Sequence, residues 1–419
     1  MDLNVTSEIG RLKKVLIHLP GHEIDVMIPS MMEELLFDDI LYGQLAREEH
    51  RRFQQLIYFI ADEVIDLQHL LAESLEDPEI RETIALDFAR RLKLRRKFTE
   101  ALRELDATRL AEVMVAGLPS EDGNSFDVPP VPNIFFMRDP QIVLGDGVVI
   151  SSMATHARSR ESLLSHYVFR YHPAFRKRDL FWMDFYEEPW PKTKAAVRRR
   201  PTIEGGDVLV PRRDMLLVGV TERTNRAGVE HLAHSLKESK AGVKTIFVVE
   251  IPRRRSYMHL DTVFTIINHH ECLLYPPVML PGKKESAKVF RLDLTKRELT
   301  YKEESSLLGA LSKKGMDLEP VYCGGSRPID QQREQWTDGA NAFALSPGVI
   351  ILYERNVRTA DELNKRGYHI VYEDDLLLGR VELERWNERK YAIQIQGHEL
   401  SRARGGPRCM TMPLERDEP

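Results

Sequence analysis

An early apolar run, KKVLIHLP, carries branched residues and closes on Pro20 and Gly21, which predicts a strand and its stop. From about Ile28 to Gly117 the apolar positions change period. Phe53, Leu56, Ile57 and Ile60 fall at the i, i+3, i+4, i+7 spacing of one helix face, and Ile84, Phe88 and Leu92 continue at helical spacing among Arg, Lys and Glu. Only Pro78 interrupts a region without glycine between Leu45 and Gly117. The pattern predicts a mainly helical module over residues 28–117, inserted after one strand, with residues 1–27 and 118–419 forming the body around it.

Beyond LPSEDGNSFDVPPVPN, a loop crowded with turn formers, strands alternate with helices. QIVLGDGVVISSM reads as a hairpin turning at Asp146–Gly147, followed by the helix ESLLSHYVFRYH. VLVPRRDMLLVGV, NRAGVEHLAHSLKES and KTIFVVEIP read as hairpin, helix and returning strand; AFALSPGVIILYE, TADELNKRG and YHIVYE repeat that order. Similar units in one chain pack around a shared axis. Each copy opens on a polar cluster with an acidic residue: RDP at Asp139, EGGD at Asp207, HLD at Asp261 and TDG at Asp338. Around one axis these clusters would meet at one end and form a carboxylate-rich pocket.

Composition narrows the class. A hydrophobic share of 42% in 419 residues supports a folded core rather than disorder. Sixty basic against 65 acidic residues give a formal charge of -5, which speaks against nucleic acid or an anionic membrane as the main partner. The runs Arg198–Arg200 and Arg253–Arg255 read as solvated surface. Three cysteines without CxxC spacing make neither a disulfide framework nor a zinc site and suit a reducing compartment. MDLNVTSEIG lacks the basic and apolar regions of a signal peptide, and no apolar run reaches membrane-spanning length. The expected setting is cytoplasmic.

The candidate chemistry centres on Cys409, in RARGGPRCM. Gly405 and Gly406 allow close backbone approach, and Arg404 and Arg408 would favour thiolate over thiol. The alternative is a buried cysteine acting as a small hydrophobe. In MHLDTVFT, His259 and Asp261 are two apart and face one cavity if the segment is extended; a salt-bridged turn is the other reading. EGGD sets Glu204 and Asp207 about two glycines, a sign of close backbone approach. Together, Cys409, His259, Asp139, Glu204 and Asp261 supply a nucleophile, an acid–base group and carboxylates. Paired carboxylates suit a planar guanidinium, which presents five N–H donors. Cys272 reads as core and Cys323 is ambiguous. His269–His270 lacks further ligands at metal spacing.

Taken in order and spacing, VLIHLPG, LLFDDI, PNIFFMRDP, TIEGGDVL, GVTERT, MHLDTVFT, REQWTDGAN and ELSRARGGPRCM resemble the arginine deiminase family of the guanidine-modifying (pentein) superfamily. The resemblance covers nearly the whole chain, including the helical insertion. It implies an α/β propeller barrel of five ββαβ units with pseudo-fivefold symmetry. It also implies hydrolysis of L-arginine to L-citrulline and ammonia with no metal or organic cofactor. Cys409 would form a covalent amidino-thioether, and Asp139 and Asp261 would hold the guanidinium. His259 would protonate the departing ammonia and then activate water, with Glu204 holding imidazole or substrate nitrogen. Asn133, Phe136 and Asp207 fall in substrate-binding segments, and Arg158, Arg223 and Arg404 match carboxylate-binding arginines. The expected partners are L-arginine and further copies of the chain, as a dimer or tetramer. Phe136–Met137 before RDP and the charged stretch DFYEEPWPKTKAAVRRRP depart from the family pattern. An amidinotransferase, an agmatine deiminase or a non-catalytic arginine-binding protein are the competing readings.

Overall fold

Strand β1 (Leu12–Ile17) pairs antiparallel with β20 (Met412–Arg416) and parallel with β2 (Glu63–Asp66) in the computed structural model, which describes residues 1–176, 180–185, 200–239, 241–384 and 388–419. This arrangement, an antiparallel pair whose second strand takes a parallel neighbour, recurs four times. It joins β5 (Gln141–Leu144), β6 (Gly147–Ile150) and β7 (Phe181–Asp184). It joins β8 (Val208–Arg212), β9 (Met215–Val220) and β10 (Thr245–Glu250). The remaining two units are β11 (Phe264–Asn268), β12 (Glu271–Leu274), β15 (Glu319–Tyr322), and β16 (Phe343–Ser346), β17 (Val349–Tyr353), β19 (Tyr391–Ile395). A parallel step needs a crossover, and helices such as Ser159–Tyr171 and Arg226–Glu238 supply it. Central strands covered on both faces are apolar throughout: every residue of β6, β9 and β17 is buried. Extra strands β13 (Lys288–Asp293) and β14 (Lys302–Glu304) widen the sheet beyond β10, and β3 (Leu118–Pro119) pairs β4 (Phe126–Val128) apart from the units.

Several expectations are corrected here. YHIVYE forms β18 (His369–Tyr372), but it does not return beside β17. The fully buried β19 takes that central place, and β18, exposed at two of four residues, pairs on its outer side. The apolar strand goes where both faces are covered. The turn between β5 and β6 is Gly145–Asp146, one position before the expected pair. The break at Pro78 is a helix start: it is the first residue of Pro78–Leu92, whose N-terminus Asp77 caps through Glu79 N and Ile80 N. The segment 28–117 holds helices, yet it also contains β2, so its first part closes the sheet of β1. The helices lying outside that sheet run from Leu67 to Ala116. They are packed onto the body: Ile84, Phe88, Leu110 and Met114 share one apolar core with Ile142, Val149, Leu164 and Val168. Burying a side chain such as Phe88 contributes roughly 1.5–3 kcal/mol. Most of the charged stretch after Asp184, with Arg198 and Arg199, lies outside the described residues. No helix among those described is long and apolar enough to cross a membrane.

Candidate active site

The polar cluster that opens each unit precedes its first strand: Asp139 before β5, Glu204–Asp207 before β8, His259–Asp261 before β11, Asp338–Asn341 before β16 and Cys409 before β20. Neighbouring clusters are bonded to one another. Gly205 N donates to the Asp139 carbonyl (3.1 Å) and Gly206 N to Asp139 Oδ1 (3.2 Å). Leu260 N donates to Asp207 Oδ1 (2.9 Å), and His259 Nε2 lies 2.8 Å from Glu204 Oε2. Asn341 Nδ2 donates to the Asp261 carbonyl (3.2 Å), while its Oδ1 accepts from Arg408 N and Cys409 N (3.1 and 3.2 Å). Arg138 N donates to the Cys409 carbonyl (3.0 Å), which closes the ring. Segments about 270 positions apart thereby meet at one place.

Two of the glycines are there for space. A Cβ at Gly206 would lie 2.7 Å from the His259 ring, and one at Gly405 2.2 Å from the Phe136 ring. A side chain at either position would push a pocket residue aside.

Within the ring, Cys409 Sγ lies 3.9 Å from Asp261 Oδ2. That oxygen also takes Arg408 Nη1 at 2.7 Å, and Arg408 reaches Glu8 with its other nitrogens (3.0 and 3.1 Å). Arg408 is therefore a fully buried brace. Its charge is committed to Asp261 and Glu8. Burial first, then the charges of Asp261, Asp139 and Asp338, push the Cys409 thiol well above its ordinary value. The resting group is the neutral thiol, against the expectation from its flanking arginines. Asp261 is also pushed up, by burial against the opposing pull of Arg408, and its Oδ1 has no hydrogen-bond partner in the protein.

In the same pocket, Asp139, Glu204 and His259 offer donor atoms within 4.8 Å of one another, a grouping able to hold a cation. A cation already lies on it. Arg158 Nη1 is 2.8 Å from Asp139 Oδ2 and 3.8 Å from Glu204 Oε2, while its Nε and Nη2 bond Glu161. These carboxylates therefore hold a guanidinium in this structure. Burial opposes the imidazolium of His259, but the charge of Asp139 and the bond to Glu204 outweigh it and raise its pKa to about 9. Burial likewise pushes Glu204 up, and the bond to His259 with the charges of Arg223 and Arg158 hold it well below the usual range.

Two further arginines of the pocket differ. Arg223 and Arg404 are 4% and 7% exposed, and each has Nε and Nη1 without a hydrogen-bond partner in the protein. Buried N–H groups left unpaired are costly, so a pair of them facing a pocket suits an anion. Asn133 and Phe136 line the same pocket, Asn133 donating to the Leu35 carbonyl (2.6 Å). The cavity among these residues is about 20 Å³, roughly room for one water molecule. An amino acid enters only as side chains yield.

Of the residues singled out from sequence, Cys409, His259, Asp139, Asn133, Phe136, Arg158, Arg223 and Arg404 line this pocket. Glu204 and Asp261 stand directly behind it, on His259 and Cys409. Asp207 does not line it: its carboxylate accepts from Thr221 Oγ1 (2.8 Å) and Leu260 N, holding the segment that carries His259. Cys272 and Cys323 are buried free thiols, and His269 and His270 lie on a hairpin turn. Asn341, Arg408, Glu161 and Met258 were not singled out as site residues. Asn341 had a signal, an amide within the cluster that opens the β16 unit.

Solved structures with this architecture include the N-terminal domain of ArgZ covalently bound to a reaction intermediate. It has a TM-score of 0.51 at 14% identity, covering 96% of this chain and 98% of that one. Dimethylarginine dimethylaminohydrolase in an adduct with S-methyl-L-thiocitrulline gives 0.50 at 13%, covering 96% and 99%. At that identity the likeness establishes the fold: the mixed α/β fold of the pentein amidinotransferases and hydrolases. Sequence comparison goes further. The arginine deiminase family model matches residues 33–118 and 118–416. Arginine deiminases of Streptococcus pyogenes serotype M49 (strain NZ131) and Clostridium perfringens (strain SM101 / Type A) are 34% and 35% identical, each comparison covering 99% of this chain and 98% of the relative. The chain belongs to the arginine deiminase family.

Proposed function

We propose that this protein hydrolyses L-arginine to L-citrulline and ammonia through a covalent intermediate on Cys409. One observation carries the reading. One buried pocket is lined by the thiol of Cys409 and the carboxylate of Asp139, with Asp261 and Glu204 behind them, and by arginines with unpaired N–H groups. A ligand with a guanidinium and a carboxylate satisfies both sets, and arginine has both.

The guanidinium seats between Asp139 and Asp261, taking the free Oδ1 of Asp261 and displacing Arg158 from Asp139. Its positive charge offsets the anionic field on the thiol, which loses its proton to solvent. The Cys409 thiolate attacks the guanidinium carbon, forming a C–S bond and a neutral tetrahedral centre. His259, protonated at neutral pH, gives its proton to one NH2 group, the C–N bond breaks and ammonia leaves. An S-alkylthiouronium cation remains. The now neutral His259 takes a proton from water as its oxygen attacks the same carbon. Collapse breaks the C–S bond, expels the thiolate and, after loss of one proton, yields citrulline. Glu204 holds the imidazole in place for both transfers.

The five bonded clusters support a pseudo-fivefold arrangement of the units about the pocket axis. Residues 67–117 form the inserted helical part, a narrower insertion than 28–117. The enzyme is a hydrolase of linear amidines, acting in the cytoplasm as a dimer or tetramer. The activity is tested by incubating purified protein with L-arginine and measuring citrulline, ornithine and ammonia together. Equal amounts of citrulline and ammonia are expected. Ornithine formed only with an added amine would identify an amidinotransferase and overturn the proposal.

A further inference from the structure

The three arginines matched to carboxylate binding are held in different ways, and the difference points beyond the pocket wall. Arg158 is tied to Asp139 and Glu161 through all of its side-chain nitrogens. Arg404 forms no ion pair or side-chain hydrogen bond among the described residues. Instead its Cζ lies 3.4 Å from the centroid of the Trp336 ring. Trp336 ends the helix Pro328–Trp336 and is 47% exposed, with the Arg404 guanidinium lying over its ring.

We infer that Trp336 is a specificity-determining positioning residue: its ring holds the Arg404 guanidinium flat while leaving the in-plane N–H groups free for a substrate carboxylate. This rests on the arginine reading of the pocket. The physical reason is competition. A carboxylate partner would hold Arg404 more firmly, but it would occupy the same in-plane donors that the ligand needs. An aromatic face attracts the cation through its quadrupole, perpendicular to the plane of the donors. The charge is steadied and the hydrogen-bonding edge stays available. Backbone geometry adds to the case. Arg404 has φ +66°, a left-handed conformation uncommon outside glycine, which aims its side chain from the segment leading to Cys409. Arg223 repeats the principle with a different soft surface, its Nη2 lying 3.5 Å from the Met258 sulfur, a weak acceptor, with Nε and Nη1 left over. Two cations are thus retained in a buried place without spending the N–H groups that recognise the ligand.

Binding separates this role from a structural one. Isothermal titration of L-arginine and of agmatine, which lacks the carboxylate, is done on Cys409→Ala protein with Trp336, with Trp336→Phe and with Trp336→Leu. Because the ring is half exposed at a helix end, these substitutions leave the core intact; circular dichroism and melting temperature confirm it. The Leu variant should bind arginine about 10-fold more weakly, within the range of a partly desolvated cation–π contact, and agmatine within about twofold of the parent. The Phe variant should recover most of the loss. Equal weakening of both ligands, no weakening, or no difference between Phe and Leu would overturn the assignment, as would failure of the Trp336 protein to bind arginine. Citrulline formation by the wild-type enzyme is measured alongside. If arginine binds with the expected selectivity but no citrulline appears, the activity proposal fails and the role of Trp336 stands.

Discussion

The charged groups around the pocket follow two opposite electrostatic plans. Around the thiol nearly every charge is already matched: Arg408 lies between Asp261 and Glu8, Arg158 between Asp139 and Glu161, and His259 against Glu204. Arg223 and Arg404, by contrast, line the cavity with unpaired donors. A paired set is rigid, and it fixes the groups proposed to move protons and attack carbon. An unpaired set is poorly satisfied until a ligand arrives, so it rewards a carboxylate and penalises its absence. On the proposed function, geometry for chemistry and selection of substrate are therefore separable in this molecule.

The comparison is broken most severely at the thiol. Cys409→Ala should abolish turnover, since no other group stands in position to form the covalent bond, while arginine still binds through both sets. Calorimetry beside a citrulline assay measures the two, and residual turnover near the wild-type rate would remove Cys409 from the mechanism. His259→Ala should follow, lowering kcat by about 100- to 10,000-fold, the usual worth of positioned acid–base help, with a smaller change in affinity. A variant that loses affinity but keeps kcat at saturating arginine would move His259 to the binding side of the comparison.

A subtler change sharpens it. With its pKa raised from 6.5 to about 9, His259 is protonated below that pH and loses its proton as pH rises through it. Replacing the anionic partner, Glu204→Gln, destabilises the imidazolium, so the titration should move down by about one unit or more. The alkaline fall in kcat should move with it. Imidazole NMR of native and variant proteins reads the shift directly, and an unchanged or higher value would mean that Glu204 does not hold the proton on His259.

Much of this was legible in the sequence, for identifiable reasons. The hairpins β5–β6, β8–β9 and β16–β17 show as apolar runs broken by short turns, and each is preceded by an acidic cluster that folding brings into the ring. The strands that escaped notice had weaker local signals. β2 is four residues, EVID, within a long helical stretch, and it becomes a strand because β1 offers it a parallel edge. β19 outranks β18 only through burial, which depends on what covers the sheet. In the site, residue types suggested roles but not partners. Nothing local to RARGGPRCM shows that Arg408 turns to Asp261 and Glu8 while Arg404 stacks on Trp336, since both pairings join distant segments. For the same reason the flanking cations suggested a thiolate, where the folded pocket holds a thiol.

The separation of the two sets is tested most directly by kcat/KM for L-arginine and for agmatine, measured on wild-type enzyme and on Arg223→Ala. In the wild type, agmatine leaves two buried cations unsatisfied and should be a far poorer substrate. In the variant one of those cations is gone, so kcat/KM for arginine should drop at least about tenfold while that for agmatine stays level or rises. The ratio between them should narrow accordingly. A drop of equal size for both substrates, or wild-type enzyme that processes agmatine as well as arginine, would contradict the account.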